Sequence, residues 1–305
     1  MRKVLLIPHI NVHNANALSS PYTIGFPAMT AFLGCAHALQ RMLNHGNFKD
    51  ASFKSVAVVC HEIDLQTYKG PGDYVYSIIG TGNPLVPDNK AKGSKWEATF
   101  VRPSFVEEAR CRLSISLVIE YEGIEKDDDE EALEEITAAL YAKMKLAGGD
   151  ILNFNIPEFL KINDNKAFGR LTRKLMPGYV IIERRELMEK SMEDGLDAID
   201  AMLDYLKVIH RSEKDSDGNV NWTSRRKTSG WIVPIATGFH GITDLRQAQN
   251  QRDSNTPHRF AETIVTLGEF VMPYRIKNLD HMLWHYHTDL ENNLYICQQN
   301  NRKIN

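Results

Sequence analysis

The sequence predicts an α+β fold, and three observations carry that prediction. Near the start, Val4-Leu5-Leu6-Ile7 is a continuous apolar run that becomes alternating at Ile10 and Val12, as in a strand facing a core. Phe32, Cys35, Ala36, Leu39, Met42 and Leu43 then recur at helical spacing, with His37, Gln40, Arg41 and Asn44 on the opposite side. Farther on, Leu113, Ile115, Leu117, Ile119 and Tyr121 alternate with Arg112, Ser114, Ser116 and Glu120, the pattern of a half-buried strand. With 305 residues, 43% of them hydrophobic, the chain can bury a full core in one or two domains.

Taken in order, the first strand is expected over 3–13, with Pro8 marking an edge or a bulge. A loop over 11–27, NVHNANALSSPYTIGFP, should follow. The first helix then begins with Thr30 as N-cap and ends at Gly46-Asn47. Residues 55–63 form a second apolar strand and 113–121 a third. The acidic run Asp127 to Glu131 suits the positive end of a second helix, whose stripe is Leu133, Ile136, Leu140, Met144 and Ala147 and which Gly148-Gly149 stops. Residues 151–154 return as a strand. This β-α-β, β-α-β order is that of a ferredoxin-like or RRM-like domain over 1–155. The segment 64–111, too long for a plain loop and holding Gly70, Gly72, Gly80, Gly82 and Gly93, is expected to project as a β-hairpin. Residues 156–305 read as a dependent α/β elaboration packed on the same sheet. It has a strand at 179–182, one helix over 183–209, a polar surface loop at 212–221 and a strand at 231–234.

Composition narrows the function. No apolar run reaches the roughly 18 residues needed to span a bilayer, and Pro8 interrupts the start too early for a signal peptide, so a cytoplasmic protein without membrane contact is expected. Cys35, Cys60, Cys111 and Cys297 lie far apart without a CxxC pair, which points to reduced, buried thiols. The formal net charge is -3, yet the charges are segregated: eight acids stand against Lys126 between 125 and 135, and six cations against Glu183 between 166 and 185. Segregated basic segments can follow a phosphate backbone even on an acidic chain, although most charge runs are merely solvated faces. No phosphate-binding glycine loop, GxSxG, HExxH or dinucleotide fingerprint is present, and no cofactor is expected.

Several groups of residues can carry binding. Asn14, Asn16, Ser19 and Ser20, with Asn11 and His13 beside them, present short donors and acceptors suited to base edges and riboses, though such residues also cap the chain's own turns. Lys90, Lys92, Lys95, Trp96 and Arg102 mix cations with one ring in the expected hairpin. Arg170, Arg173 and Lys174 stand at i, i+3 and i+4, on one face of a helical turn, where phosphate binding is the natural use. Arg225-Arg226-Lys227 and the pair His258-Arg259 are further cationic candidates. His281, His285 and His287 have a spacing at which the first two share a helix face, but no carboxylate or thiol of ligand spacing accompanies them, and an amphipathic helix end is the plainer account. His9, His13 and His37 are titratable near neutrality and offer an alternative, metal-independent cleavage of RNA.

The stretches NANALSSPYTIGFP, AFLGCAHALQR, GNPL, KLAGGDIL, RLTRKLMPGY, GWIVPIATGF, TPHRFAETIVTLGE and LWHYH span nearly the whole chain. Together they resemble the second Csy subunit of type I-F CRISPR surveillance complexes, a Cas-five-like family. That resemblance implies a non-catalytic RNA-binding subunit in defence against foreign DNA. It would hold the 5′ handle of the guide RNA with a large (Cas-eight-like) subunit and contact the repeated (Cas-seven-like) backbone subunit. It further implies a thumb hairpin, matching 64–111, that presses on the guide, a position near target DNA at the foot of the complex, and exposure to phage-encoded inhibitors. Asn14, Asn16, Ser19 and Ser20 would touch handle nucleotides; Arg170, Arg173 and Lys174 would grip phosphates. Arg225, Arg226, Lys227, His258 and Arg259 would serve RNA or the large subunit.

Overall fold

A computed structural model describes residues 1–79, 85–87, 100–101, 108–251 and 253–299. The chain is mixed α/β and dominated by one antiparallel sheet. In chain order the main elements are β1 (Arg2–Asn16), α1 (Met29–His45), β2 (Ser52–Leu65), β3 (Arg110–Glu122), α2 (Asp129–Ala142), β4 (Gly149–Asn153), β5 (Glu158–Ile162), α3 (Asn165–Lys174) and β6 (Tyr179–Glu183). After them come α4 (Arg185–Glu193), α5 (Ala198–Leu206), β7 (Ile209–Lys214), β8 (Val220–Arg225), β9 (Trp231–Gly241), β10 (Ala261–Val271), β11 (Trp284–Asp289) and β12 (Leu294–Gln299).

The sheet runs β4-β1-β3-β2-β6-β10-β9-β12-β11, with β5 also on β1. Its first four strands are antiparallel throughout, and the third expected strand lies between the first and second. Beyond β2 the path returns on itself, because Trp284 of β11 pairs with Val56 of β2. Trp284 is fully buried there and donates from Nε1 to the Ile181 carbonyl at 2.9 Å, which satisfies the indole N–H inside the core.

Side-chain alternation divides the sheet into two faces. Leu5, Ile7, Ile10, Val12, Leu113, Ile115, Leu117 and Ile119 meet α1 and α2 in the main core. On the opposite face Val4, Leu6, Ala57, Val59 and Val118 are covered by Phe168 and Leu171 of α3 and by Ile276, Leu279 and Met282. A third, smaller core joins Met188 of α4 and Met202 of α5 to Ile232 and Leu267. The middle of β3 is therefore buried on both faces, whereas its alternation predicted burial on one; Ser116 and Val118 are both fully buried.

Other expectations change for local reasons. Pro8 sits at a bulge inside the sheet: β5 pairs with β1 up to Leu6, β4 takes over at Asn11, and the register against β3 shifts between Ile7 and Ile10. Thr30 lies within α1, and Ala28 holds the N-cap position without a side-chain cap. Ala147 and Gly148 both have positive φ (49° and 76°) and turn a tight hairpin between Lys145–Leu146 and β4, so the Gly148-Gly149 pair, expected to stop α2, instead ends that turn and begins β4, while α2 has already ended at Ala142. The expected helix over 183–209 is two helices. Gly195, at φ 96°, breaks it, and Asp197 caps α5 by accepting from the Asp200 amide at 2.8 Å. The expected loop at 212–221 belongs to the hairpin β7–β8, where Asp215 accepts from the amides of Asp217 and Asn219. His281 lies in a 3-10 turn, with His285 and His287 in β11, so that spacing is not helical. In the 64–111 insertion the described residues form two short ladders, Thr67–Tyr68 with Ser77–Ile78 and Val86–Pro87 with Phe100–Val101.

Candidate nucleic-acid interface

The amide-rich segment is less a loop than the predicted one. β1 continues to Asn16, and the chain then folds into a small two-stranded turn, Leu18–Ser20 against Thr23–Ile24. Within it Ser20 is buried and its hydroxyl lies 2.6 Å from that of Thr23, while Ser19 shares the same hydroxyl at 3.0 Å. Asn16 accepts from the Leu18 amide at 3.0 Å. These three side chains brace their own backbone. Asn14 differs: it is exposed, has φ 57°, and receives a hydrogen bond from Gln66 Nε2 at 2.7 Å, across from β1 to the end of β2. Asparagine tolerates this left-handed conformation better than most residues.

Among the described residues Asn14 stands at an uncovered end of the sheet. α3 and the 276–283 segment shield only the half of that face near Val4, Ala57 and Val118. Past the β1 bulge a groove of about 430 Å³ opens, where the polar side chains of Asn11, His13, Glu62, Asp64, Arg112 and Ser114 stand beside Val12, Leu113 and an exposed Leu152. A neighbouring hollow of about 360 Å³ continues it past Asn14 to Gln66 and Ile79. Arg112, Glu62, Asp64 and Gln66 were not singled out from the sequence. Arg112 alternates with the apolar residues of the expected third strand and Glu62 falls in the second, but Asp64 and Gln66 fall in the expected hairpin, and only the register between β2 and β3 shows that residues some fifty positions apart share one groove.

Between the groove and α3 lies a histidine pair. The rings of His9 and His61 stack at 4.0 Å. Ser116 Oγ receives the His9 amide at 3.0 Å and lies 2.6 Å from His61 Nε2, so the hydroxyl donates to that nitrogen and His61 Nδ1–H donates to the Pro177 carbonyl at 2.6 Å. Burial lowers the His61 pKa, with the Pro177 hydrogen bond opposing and His9 assisting. For the alternative of cleavage by His9, His13 or His37, the structure separates one of the three from the other two. His37 is on α1, on the other face of the sheet from His9 and His13, beside Lys54, Tyr286 and Tyr295.

α3 presents the expected cationic face. Asp164 caps it by accepting from the Ala167 amide at 2.6 Å, Leu171 and Thr172 point inward, and Arg170, Arg173 and Lys174 are exposed. Lys174 is paired with Glu158 at 2.6 Å, and Arg173 Nε donates to the Gly169 carbonyl. The chain leaving α3 passes Pro177 to Gly178, packed against the His61 ring, so α3 adjoins the histidine pair on the same face as the groove. Arg225 and Arg226 are exposed at the end of β8. Lys227 is engaged locally, 2.5 Å from Asp204 and over the Tyr205 ring at 4.4 Å. His258 bridges to Arg246, and Arg259 donates to Asn293 at 2.6 Å. Lys90, Lys92, Lys95, Trp96 and Arg102 lie outside the described residues. The four cysteines are buried and unbridged, and burial pushes each thiol up to about 12. Among the described residues no helix is long and apolar enough to cross a membrane.

Comparison with known proteins places the chain among CRISPR-associated proteins. The family described as CRISPR-associated protein (Cas_Csy2) matches residues 5–297. Over 321 aligned residues the chain is 32% identical to CRISPR-associated protein Csy2 of Pseudomonas aeruginosa (strain UCBPP-PA14), covering 96% of this chain and 94% of that protein. The chain belongs to the CRISPR-associated Csy2 family.

Proposed function

We propose that this chain is a non-catalytic guide-RNA-binding subunit of a type I-F CRISPR effector complex. It holds the 5′ handle of the guide together with a large (Cas-eight-like) subunit and contacts the repeated (Cas-seven-like) backbone subunit, in the cytoplasm and without a cofactor. Target specificity then belongs to base pairing, and the protein supplies shape and backbone contacts close to the target DNA. The observation that carries the reading is the arrangement of one sheet face. Its covered half bears the cationic side of α3, and its open half bears Asn14 and a groove that mixes amide, hydroxyl and charged side chains with Leu152. Cations at one end and donor–acceptor side chains at the other suit a single strand whose phosphates are gripped while its bases lie on the sheet.

In this reading residues 1–155 form a ferredoxin-like domain with a thumb at 64–111, consistent with the strand order of β4, β1, β3 and β2. Residues 156–305 are an elaboration that does not fold apart from it, since β6 and β11 both pair with β2. Arg225 and Arg226 remain free to meet RNA or the large subunit. The separation of His37 from His9 and His13 favours binding over cleavage. Incubating the full chain with single-stranded repeat RNA tests this: the RNA is expected to be retained at full length. Cleavage of that RNA, lost on His13→Ala or His37→Ala, would establish an endoribonuclease instead.

A further inference from the structure

The open groove is not built for phosphate. Two of its six polar lining residues are carboxylates, Glu62 and Asp64, which repel a phosphodiester, against one guanidinium, Arg112. The side chains form two rows across neighbouring strands. Glu62 is opposite Ser114, Ser114 is opposite Asn11, and Asn11 donates to Asn153 at 2.5 Å. In the second row Asp64 faces Arg112, with His13 on the next strand. Although Asp64 and Arg112 face each other with opposite charge, no ion pair joins them, and among the described residues no side-chain hydrogen bond engages Glu62, Asp64 or Arg112. The groove thus offers carboxylate acceptors and a guanidinium donor side by side, in a volume within the range of small-ligand pockets.

From this juxtaposition we infer that Glu62, Asp64 and Arg112 read a nucleobase carrying an exocyclic amino group, and so reject uracil. Cytosine, adenine and guanine each place an amino donor next to a ring nitrogen or carbonyl acceptor. The two carboxylates take the amino hydrogens and the guanidinium takes the acceptor. Uracil has a single edge donor, N3–H, which can serve one carboxylate but leaves the other without a donor and facing a carbonyl oxygen. This rests on the RNA-binding reading and adds base selection to it, at a place separate from the α3 phosphate contacts.

The test measures binding of the full chain to single-stranded RNA octamers that differ at one position, with uridine, cytidine, adenosine or guanosine there, and repeats it with Glu62→Gln, Asp64→Asn and Arg112→Gln. The wild type is expected to favour the amino-bearing octamers over the uridine one by about tenfold, the size of one good bidentate base contact. Asp64→Asn, nearly the same shape, is expected to shrink that preference severalfold and to leave the salt dependence of binding unchanged, since no phosphate contact is removed. Equal, salt-sensitive binding of all four octamers by the wild type overturns base selection while leaving RNA binding intact. So does full preference in all three variants. Absence of RNA binding overturns both readings.

Discussion

His61 shows how much one side chain reports on its surroundings. In the folded chain it is held neutral between Ser116 and the Pro177 carbonyl, and burial lowers its pKa, so the unfolded chain binds the extra proton first. Stability is therefore full above the unfolded value near 6.5 and falls as pH drops through it toward the lower folded value. Thermal unfolding from pH 7.5 to 5 is expected to show a smaller acid loss for His61→Asn, which keeps a donor for Pro177, than for the wild type. An equal loss would place the titration elsewhere, for example at His285, which burial also lowers. At this scale the sequence was legible in part. The cysteines and the cationic triplet were readable from spacing alone. Ser19, Ser20 and Asn16 serve their own turn, the use that Ser and Asn most often have, and no sequence signal separates that use from recognition. Arg112 and Glu62 were visible only as parts of two strands, and Asp64 was assigned to the 64–111 insertion.

At the level of elements, long periodic segments were readable and their ends were not. α1 and β3 follow directly from apolar spacing. The break between α4 and α5 had its signals in Gly195 and Asp197, but the helical stripe on either side masked them. Gly148-Gly149 read as a helix stop, whereas Gly149 pairs locally with Leu146 and opens a strand whose other neighbour, β1, is far off in sequence: His13 and Asp150 are 137 positions apart. The reason for glycine at 149 is steric. A Cβ there would lie 2.5 Å from the His13 carbonyl oxygen and 2.7 Å from the Ala15 amide nitrogen, so β4 fits against β1 only without one. Gly149→Ala is expected to cost about 1–3 kcal/mol in urea unfolding by forcing the two strands apart. Gly169→Ala, with nothing within 4 Å of the added methyl and a helical position, should be neutral or slightly stabilising. Equal effects of the two would contradict the account of the β1–β4 contact.

Across the whole molecule, function follows from what is covered and what is left open. The main core fixes one face of the sheet, α3 and the 276–283 segment close half of the other, and among the described residues no helix covers the remainder, where the groove lies. Sequence periodicity predicted the first four strands and their helices. It could not predict that β2 would be shared with a second set of strands, because pairings such as Tyr179 with Cys60 and Trp284 with Val56 span 119 and 228 positions and leave no local pattern. That sharing sets α3 beside the open half of the face, and with it the proposed path from phosphate grip to base platform. The salt dependence of RNA binding tests this path most directly. Each phosphate contact of a single strand contributes about 0.7 to the slope of log affinity against log salt. Because Lys174 is already paired with Glu158, the arginines should carry most of the contribution from α3. The account predicts that Arg170→Gln with Arg173→Gln makes the slope shallower by about 1.4. A slope identical to that of the wild type would contradict it.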